Sequence, residues 1–264
     1  MADPTWSTAL ITGASSGIGD AIARQLAAEG TDLVVVARDE ARLDKLAAEL
    51  EDVHGVAVEV LAADLSAPVS RNAVERRLGD RDRPVDLLVN NAGFGTNGAF
   101  HELAVDREEQ EVQVNVLALL RLSSAALGPM VARGSGAVLN IASIGGLYPI
   151  PGNATYGATK AFVCSFSDAL HEEVKGTGVT VTAALPGFTR TEFQERSNWD
   201  GQSGIPELAW LTADEVARTS LDGARAGRAR VVPARRYQVL TAATAPIPPV
   251  MKRWIMGKAK DIAW

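Results

Sequence analysis

Tyr156-Gly157-Ala158-Thr159-Lys160 places a phenol and an amine four residues apart. On a helix this spacing puts both side chains on one face, one turn from each other. Tyrosine ordinarily titrates near pKa ~10 and lysine slightly above it, so an ammonium fixed beside the ring stabilises the phenolate and lowers the tyrosine pKa. The pair can then serve as a general acid and base near neutral pH. Two common residues at helical spacing are not specific alone, and their meaning depends on what positions them.

Short β-rich runs alternate with longer helical patterns along the chain, which predicts βαβ units and a parallel sheet. The runs cover residues 7–11, 32–37, 56–62, 85–90, 136–141, 179–184 and 230–233, so about seven strands are expected. Leu33-Val34-Val35-Val36-Ala37 is apolar throughout, as for a strand covered on both faces. Helices are expected over 18–29, 40–51, 68–78, 107–132, 155–175 and 213–224, with Gly30 and Gly176 placed to close two of them. The fold class is therefore α/β: a doubly wound parallel sheet with helices on both faces, in a single domain over residues 1–264. A long interruption at 191–211, holding Trp199 and Gly204, is a substrate-lid candidate.

Thr12-Gly13-Ala14-Ser15-Ser16-Gly17-Ile18-Gly19 follows the first strand and opens the first helix. Glycines there let backbone approach a pyrophosphate, and the free N–H groups of the helix N-terminus favour its charge. That strand–turn–helix context makes a dinucleotide site of what could otherwise be a simple tight turn. The second strand ends in Ala37-Arg38-Asp39, with no acid at the position where one would bind a ribose 2′-hydroxyl. Arg38 suits a 2′-phosphate, so NADP(H) is preferred over NAD(H), and Asp39 reads as the cap of the next helix.

Together these residues resemble the short-chain dehydrogenases/reductases. Thr12-Gly-x-x-x-Gly-x-Gly19, Asn90-Asn91-Ala92-Gly93, Asn115, Ser143, Tyr156-x-x-x-Lys160 and Pro186-Gly187 occur in that family's order and at its usual intervals, between about Thr8 and Val232. The resemblance implies a Rossmann-type fold and a hydride transfer between NADP(H) and a carbonyl or alcohol. It implies Tyr156 as the acid/base, Lys160 on the nicotinamide ribose, Ser143 on the substrate oxygen and Asn115 holding a water in a proton relay. Cofactor contacts are implied for Gly13, Ser15, Ser16, Gly17, Ile18 and Gly19, for Asp64 and Leu65 at the adenine, and for Asn91, Ala92 and Gly93. Pro186, Gly187, Thr189 and Thr191 are similar to the segment that clamps the carboxamide. The resemblance also implies a homodimer or homotetramer, formed through the helices over 107–132 and 155–175. Phe94, Ser143, Tyr148 and Phe193 are expected in the substrate pocket, and with Phe188, Trp199 and Trp210 nearby they suggest a small to medium apolar substrate.

Composition bounds the alternatives. At 47% hydrophobic and 22% charged, the chain is expected to be a soluble globular protein. Its net charge of −6 argues against general nucleic-acid binding. No basic and apolar leader and no apolar run of membrane-spanning length stand out, and one cysteine, Cys164, excludes an intrachain disulfide, so a reducing cytoplasm is expected. Cys164 reads as a small core residue, and His54, His101 and His171 have no metal-ligand spacing. From Arg228 onward eight Lys or Arg face one acid, +7, leaving −13 upstream. This basic C-terminal extension, 234–264, can be a solvated helix face, a subunit contact, or an interfacial helix making peripheral contact with anionic lipid.

Two other functions remain open at the level of sequence. One is a catalytically silent dinucleotide-binding regulator or scaffold, against which the intact Ser143, Tyr156 and Lys160 weigh. The other is different chemistry on the same fold, and here the tight Tyr/Lys spacing disfavours enoyl reduction while the glycine spacing and length disfavour sugar-nucleotide epimerisation.

Overall fold

The computed structural model describes residues 5–197 and 204–263, with side chains described as far as residue 258. Residues 198–203, including Trp199 of the lid candidate, lie outside the described residues.

Alternation of side chains along each strand decides which layer every apolar residue joins. In β1 (Thr8–Thr12), Ala9 and Ile11 pack with Ile22, Leu26, Leu43 and Leu221 on one face. Leu10 packs with Val74, Leu78, Leu122 and Met130 on the other. β2 (Asp32–Ala37) repeats the pattern, with Leu33 and Val35 on the first face and Val34 and Val36 on the second. A strand apolar on both sides needs helices on both sides, and α1 (Gly17–Ala28), α2 (Glu40–His54) and α8 (Ala213–Arg225) cover one layer. The opposite layer holds α3 (Pro68–Leu78) and α5 (Leu119–Arg133).

The remaining strands are β3 (Val58–Ala62), β4 (Leu87–Asn90), β5 (Gly136–Ile141), β6 (Val179–Ala184) and β7 (Arg230–Val231). All pair in parallel in the order β3-β2-β1-β4-β5-β6-β7, a Rossmann-type sheet of seven strands in one domain. The chain runs outward from β1 to β3 and then returns to place β4 on the other side of β1. At such a reversal the loops leaving the strand ends diverge, and a ligand crevice opens between them. Two neighbouring central strands are also locked by a buried polar chain. Asn90 Nδ2 donates to Asn140 Oδ1 at 2.9 Å and to Ser123 Oγ at 3.1 Å, and Asn140 Nδ2 donates to Ser167 Oγ at 2.9 Å.

The elements follow the expected pattern, with differences at their ends. β7 stops two residues short of the expected 233, where Pro233 has no N–H to offer a ladder. α2 runs on to His54 because Gly55, at φ 69°, closes it with a left-handed cap. The helix expected over 107–132 is α4 (Val105–Val112), a π-helical segment at Gln113–Ala118, then α5. Within the continuous helical stretch Val105–Arg133 one 18-residue window reaches a mean hydropathy of 1.5, so by length and composition alone this helix is long and apolar enough to cross a membrane. In this fold it packs against β4, β5 and α3 as a core helix.

Candidate active site

Two loops leaving β1 and β4 meet at the reversal point. Gly13 adopts φ 67°, and a Cβ there would lie 2.8 Å from Asn91 Nδ2. A Cβ on Gly19 would lie 2.3 Å from the Gly13 carbonyl oxygen, so the turn can fold back on α1 only as glycine. Thr12 Oγ1 accepts from the backbone N–H groups of Asn91 and Ala92, each at 3.0 Å, and Asn91 Nδ2 donates to Thr12 O at 2.9 Å. Ser16, the N-cap of α1, makes no side-chain cap hydrogen bond, which leaves the first N–H groups of the helix open to an anion. Gly13, Ser15, Ser16, Gly17 and Ile18 line one end of a cavity of about 520 Å³, together with Asn91, Ala92 and Gly93. These residues fit the pyrophosphate of a dinucleotide.

Pro186, Gly187, Thr189 and Thr191, beyond β6, form a further wall. Thr191 Oγ1 accepts from Phe193 N at 3.2 Å, and its methyl group would be 3.0 Å from a Cβ on Gly17. Gly19, Arg38, Asp64 and Leu65 are not among the cavity-lining residues. Arg38 is exposed at the end of β2 and makes no ion pair among the described residues, while Asp39 caps α2 by accepting from Arg42 N at 3.1 Å. Asp64 Oδ1 accepts from Ser66 N at 2.9 Å and Ser66 Oγ at 2.7 Å, and Leu65 is a core side chain.

Ser143, Tyr156 and Lys160 line the same cavity. β5 delivers Ser143, whose Oγ accepts from Gly145 N at 3.0 Å and opens the turn Ile144–Leu147. That turn lies directly on α6 (Ala154–Glu173), since a Cβ on Gly146 would be 2.6 Å from the Lys160 carbonyl carbon. α6 carries Tyr156 and Lys160, and both line the cavity with Ser143. Lys160 is buried, and its Nζ donates to Ile141 O at 2.9 Å. An ammonium has three donors, so this bond leaves capacity for ribose hydroxyls.

The electrostatics differ from the sequence expectation. Burial pushes the Tyr156 phenol up to about 12, a hydrogen bond with Ser143 pulls it down, and the Glu111 carboxylate pushes it up. Burial pushes Lys160 down to about 8. The ammonium sits 5.8 Å from the Tyr156 ring centroid and is turned to a backbone carbonyl, so desolvation outweighs the expected lowering of the phenol by the amine.

Asn115 lies in the π-helical segment and is buried. Its Nδ2 donates to Phe94 O at 2.8 Å and Thr159 Oγ1 at 3.1 Å, and its Oδ1 accepts from Phe94 N at 3.2 Å. The side chain fixes the turn after β4 to α6. One turn before it is Glu111, a residue sequence reasoning missed. Glu111 is fully buried, and its Oε2 accepts from Thr96 N and Oγ1, each at 2.9 Å. Burial and the neighbouring Glu108 raise its carboxyl to about 7, against the pull of Thr96 and Lys160. The only signal was its position, since 108, 111 and 115 follow one another at helical spacing on one face.

Comparison with known proteins bears on this arrangement. The chain matches the family model for short chain dehydrogenase over residues 7–201. It belongs to the short-chain dehydrogenase/reductase family. A short-chain dehydrogenase from Sphingobium yanoikuyae in complex with NADPH is 42% identical, with a TM-score of 0.82 over 90% of this chain and 93% of that one. The bulky-bulky ketone specific alcohol dehydrogenase from Comamonas testosteroni is 36% identical, with a TM-score of 0.78 over 90% and 92%. Serine 3-dehydrogenase from Agrobacterium fabrum is 36% identical over 221 residues, 80% of this chain and 85% of that one. The protein is an NAD(P)-dependent dehydrogenase/reductase.

In this short-chain dehydrogenase/reductase the cavity draws on residues well beyond 201. Phe94, Tyr148 and Phe193 line the cavity, and the Phe193 ring lies 5.4 Å from that of Tyr156. The C-terminal extension is two helices, α9 (Arg235–Thr244) and α10 (Pro249–Ala263), and it is not simply a solvated tail. Its Leu240, Thr244, Ile247, Lys252, Ile255 and Met256 close the cavity, and Tyr148 OH hydrogen-bonds Thr244 Oγ1 at 2.6 Å. Tyr237 pins the extension to the wall beyond β6: its OH accepts from Phe188 N at 3.2 Å and donates to Ala209 O at 2.7 Å. Of the lid candidate 191–211, Thr191, Phe193, Gln194, Arg196 and Ser197 reach the cavity from the short helix α7 (Phe193–Arg196) and its flanks. Cys164 is buried and free, as read from sequence, and among the described residues no group of His, Cys, Asp and Glu could hold a metal.

Proposed function

We propose that this enzyme interconverts a carbonyl and an alcohol with NADP(H) on a small to medium, largely apolar substrate. The observation that carries the proposal is the convergence of Ser143, Tyr156 and Lys160 on one wall of a cavity whose far end is the glycine turn. When bound, the nicotinamide dinucleotide supplies or accepts the hydride. Tyr156 gives a proton to the substrate oxygen in reduction and takes it back in oxidation. Ser143 donates a hydrogen bond to the same oxygen, where negative charge develops. Lys160 holds the ribose hydroxyls and serves as the next proton carrier, its lowered pKa bringing it close to neutral pH. Asn115 acts as a positioning residue, through the Phe94 turn that it holds.

The preference for NADP(H) rests on Arg38, which is exposed beside the strand end with Ala37 where an acid would otherwise bind a 2′-hydroxyl. Apolar side chains exposed near α4, α5 and α6, among them Phe100, Val112 and Leu120, support a homo-oligomer formed through those helices. A buried free thiol accords with the reducing cytoplasm as the working compartment.

Tyr156→Phe is the deciding experiment, assayed over a panel of ketones and secondary alcohols with each cofactor. Loss of turnover by about 10²-fold or more with cofactor binding retained is expected. Wild-type rates in the variant would remove Tyr156 from the chemistry. Tight NADPH binding with no turnover of any compound by the wild type would favour a silent, cofactor-sensing role. In the same assay Arg38→Ala is expected to cut the NADPH:NADH ratio of kcat/KM about tenfold or more.

A further inference from the structure

The cavity lining is largely apolar, yet one charged group on it makes no ion pair among the described residues. Among the described residues no Asp or Glu lines the cavity, whereas Lys160, Arg196 and Lys252 do. Lys160 belongs to the reacting centre, and Arg196 is paired with Glu192 at 2.6 Å. Lys252, on α10, makes no ion pair among the described residues. Its Nζ lies 5.7 Å from the Tyr148 ring centroid, and the side chain is partly buried. An ammonium drawn over an aromatic ring at the rim of an apolar cavity is attracted to that ring but keeps its demand for a counter-ion.

We propose that Lys252 is an anchor for a carboxylate, and that the substrate is an amphipathic oxo- or hydroxy-acid whose carboxylate lies at the end away from the reacting carbon. The apolar stretch between would contact Ile150, Leu240, Ile247 and Met256, and the carboxylate would reach the ammonium at the cavity rim. This assignment rests on the carbonyl/alcohol reading above and extends it to the substrate. It also gives a role to the basic extension of an otherwise acidic protein, because a cation at the mouth draws anions out of solution toward the site.

The test measures binding rather than turnover, so it stands apart from the fate of Tyr156. With the protein saturated with NADPH, dissociation constants for decanoate and decan-1-ol are measured by titration calorimetry below their aggregation limits. The comparison covers wild type, Lys252→Gln, Lys252→Arg and Lys258→Gln. Lys258 stacks on Trp254 with 4.2 Å from Nζ to the ring centroid and is not among the cavity-lining residues, so its variant controls for net charge alone. Decanoate is expected to bind wild type about tenfold more tightly than decanol. Lys252→Gln should abolish that difference, while Lys252→Arg and Lys258→Gln keep most of it. Equal binding of acid and alcohol to wild type, or an unchanged difference in Lys252→Gln, would overturn the proposal. So would equal binding combined with capture by phosphatidylglycerol vesicles that both glutamine variants weaken alike, which would make α10 a membrane-facing helix. If the binding difference appears while Tyr156→Phe keeps full activity, the anchor stands and the chemical reading falls.

Discussion

Replacing Glu111 by glutamine should change how stability depends on pH, and the size of the change follows from the surroundings of the carboxyl. Glu111 is fully buried, its Oε1 has no hydrogen-bond partner, and Glu108 lies one turn earlier with its own Oε1 unpartnered. Lys160 and Tyr156 are the other titratable groups that interact with it. Its carboxyl titrates near 7 instead of 4.5. Between those two values the folded chain keeps a proton that the unfolded chain has lost, so stability falls as pH rises through the window. Above about 7 the full cost of a buried carboxylate is carried. At about 1.4 kcal/mol per pKa unit the limit is about 3.5 kcal/mol, and about 2 kcal/mol remains after solvent relaxation. Glutamine retains an oxygen to accept from Thr96 but cannot ionise. Its buried NH₂ adds a cost that is independent of pH, so the diagnostic is the slope of the difference and not its level. Urea unfolding followed by tryptophan fluorescence at several pH values from 5 to 8 reads that slope. The stability of Glu111→Gln relative to wild type should rise by about 2 kcal/mol from pH 5 to pH 8. A difference that stays flat across this range would show that the carboxyl is ionised throughout, and the electrostatic account of the site would fail.

Two further substitutions test how the site is held. Gly146→Ala puts a methyl group against the backbone of α6, so the turn must lift away and carry Ser143 with it. A fall in kcat of roughly 10- to 100-fold is expected alongside a loss of about 1–3 kcal/mol in stability, read by steady-state kinetics and thermal melting. An unaltered kcat would mean that Ser143 does not depend on that close approach. Asn140→Ala strips partners from Asn90 and Ser167 in the middle of the sheet and should lower stability by about 2–4 kcal/mol in denaturant titration, with little change in KM for NADPH. A loss below about 0.5 kcal/mol would show that water or a shifted side chain replaces those bonds.

The sheet was readable because its cause is local. Runs such as Leu33-Val34-Val35-Val36 can be stable only when buried on both faces, and β2, β5 and β6 begin and end where the sequence puts them. The glycine turn and the groups on α6 were readable because their spacing is itself the chemistry. The less legible features depend on distant partners. Glu108-Glu109-Gln110-Glu111 reads as a solvated helix face until Thr155 and Thr96 arrive to bury two of its acids. The π-helical segment left only the faint mark of an asparagine in mid-helix. The extension, read for its charge, gave no sign that Leu240, Ile247 and Met256 would turn inward, because nothing in 234–263 specifies which surface it covers. The opposing pull of burial on Tyr156 and Lys160 also depends on packing, since spacing alone cannot supply a local dielectric.

Gly187 and Tyr237 meet so closely that a Cβ on the glycine would fall 2.1 Å from the ring. That contact joins the segment after β6 to the C-terminal helices. Strands β1 to β6, the glycine turn and Ser143, Tyr156 and Lys160 fall within the span matched by the family model, which ends at residue 201, while the cavity wall is finished by residues from 240 onward. In chain order Ser143, Tyr156 and Lys160 therefore precede the helices that complete the cavity. Substitutions confined to the final two helices can therefore reshape that wall while leaving the glycine turn, Ser143, Tyr156 and Lys160 as they are.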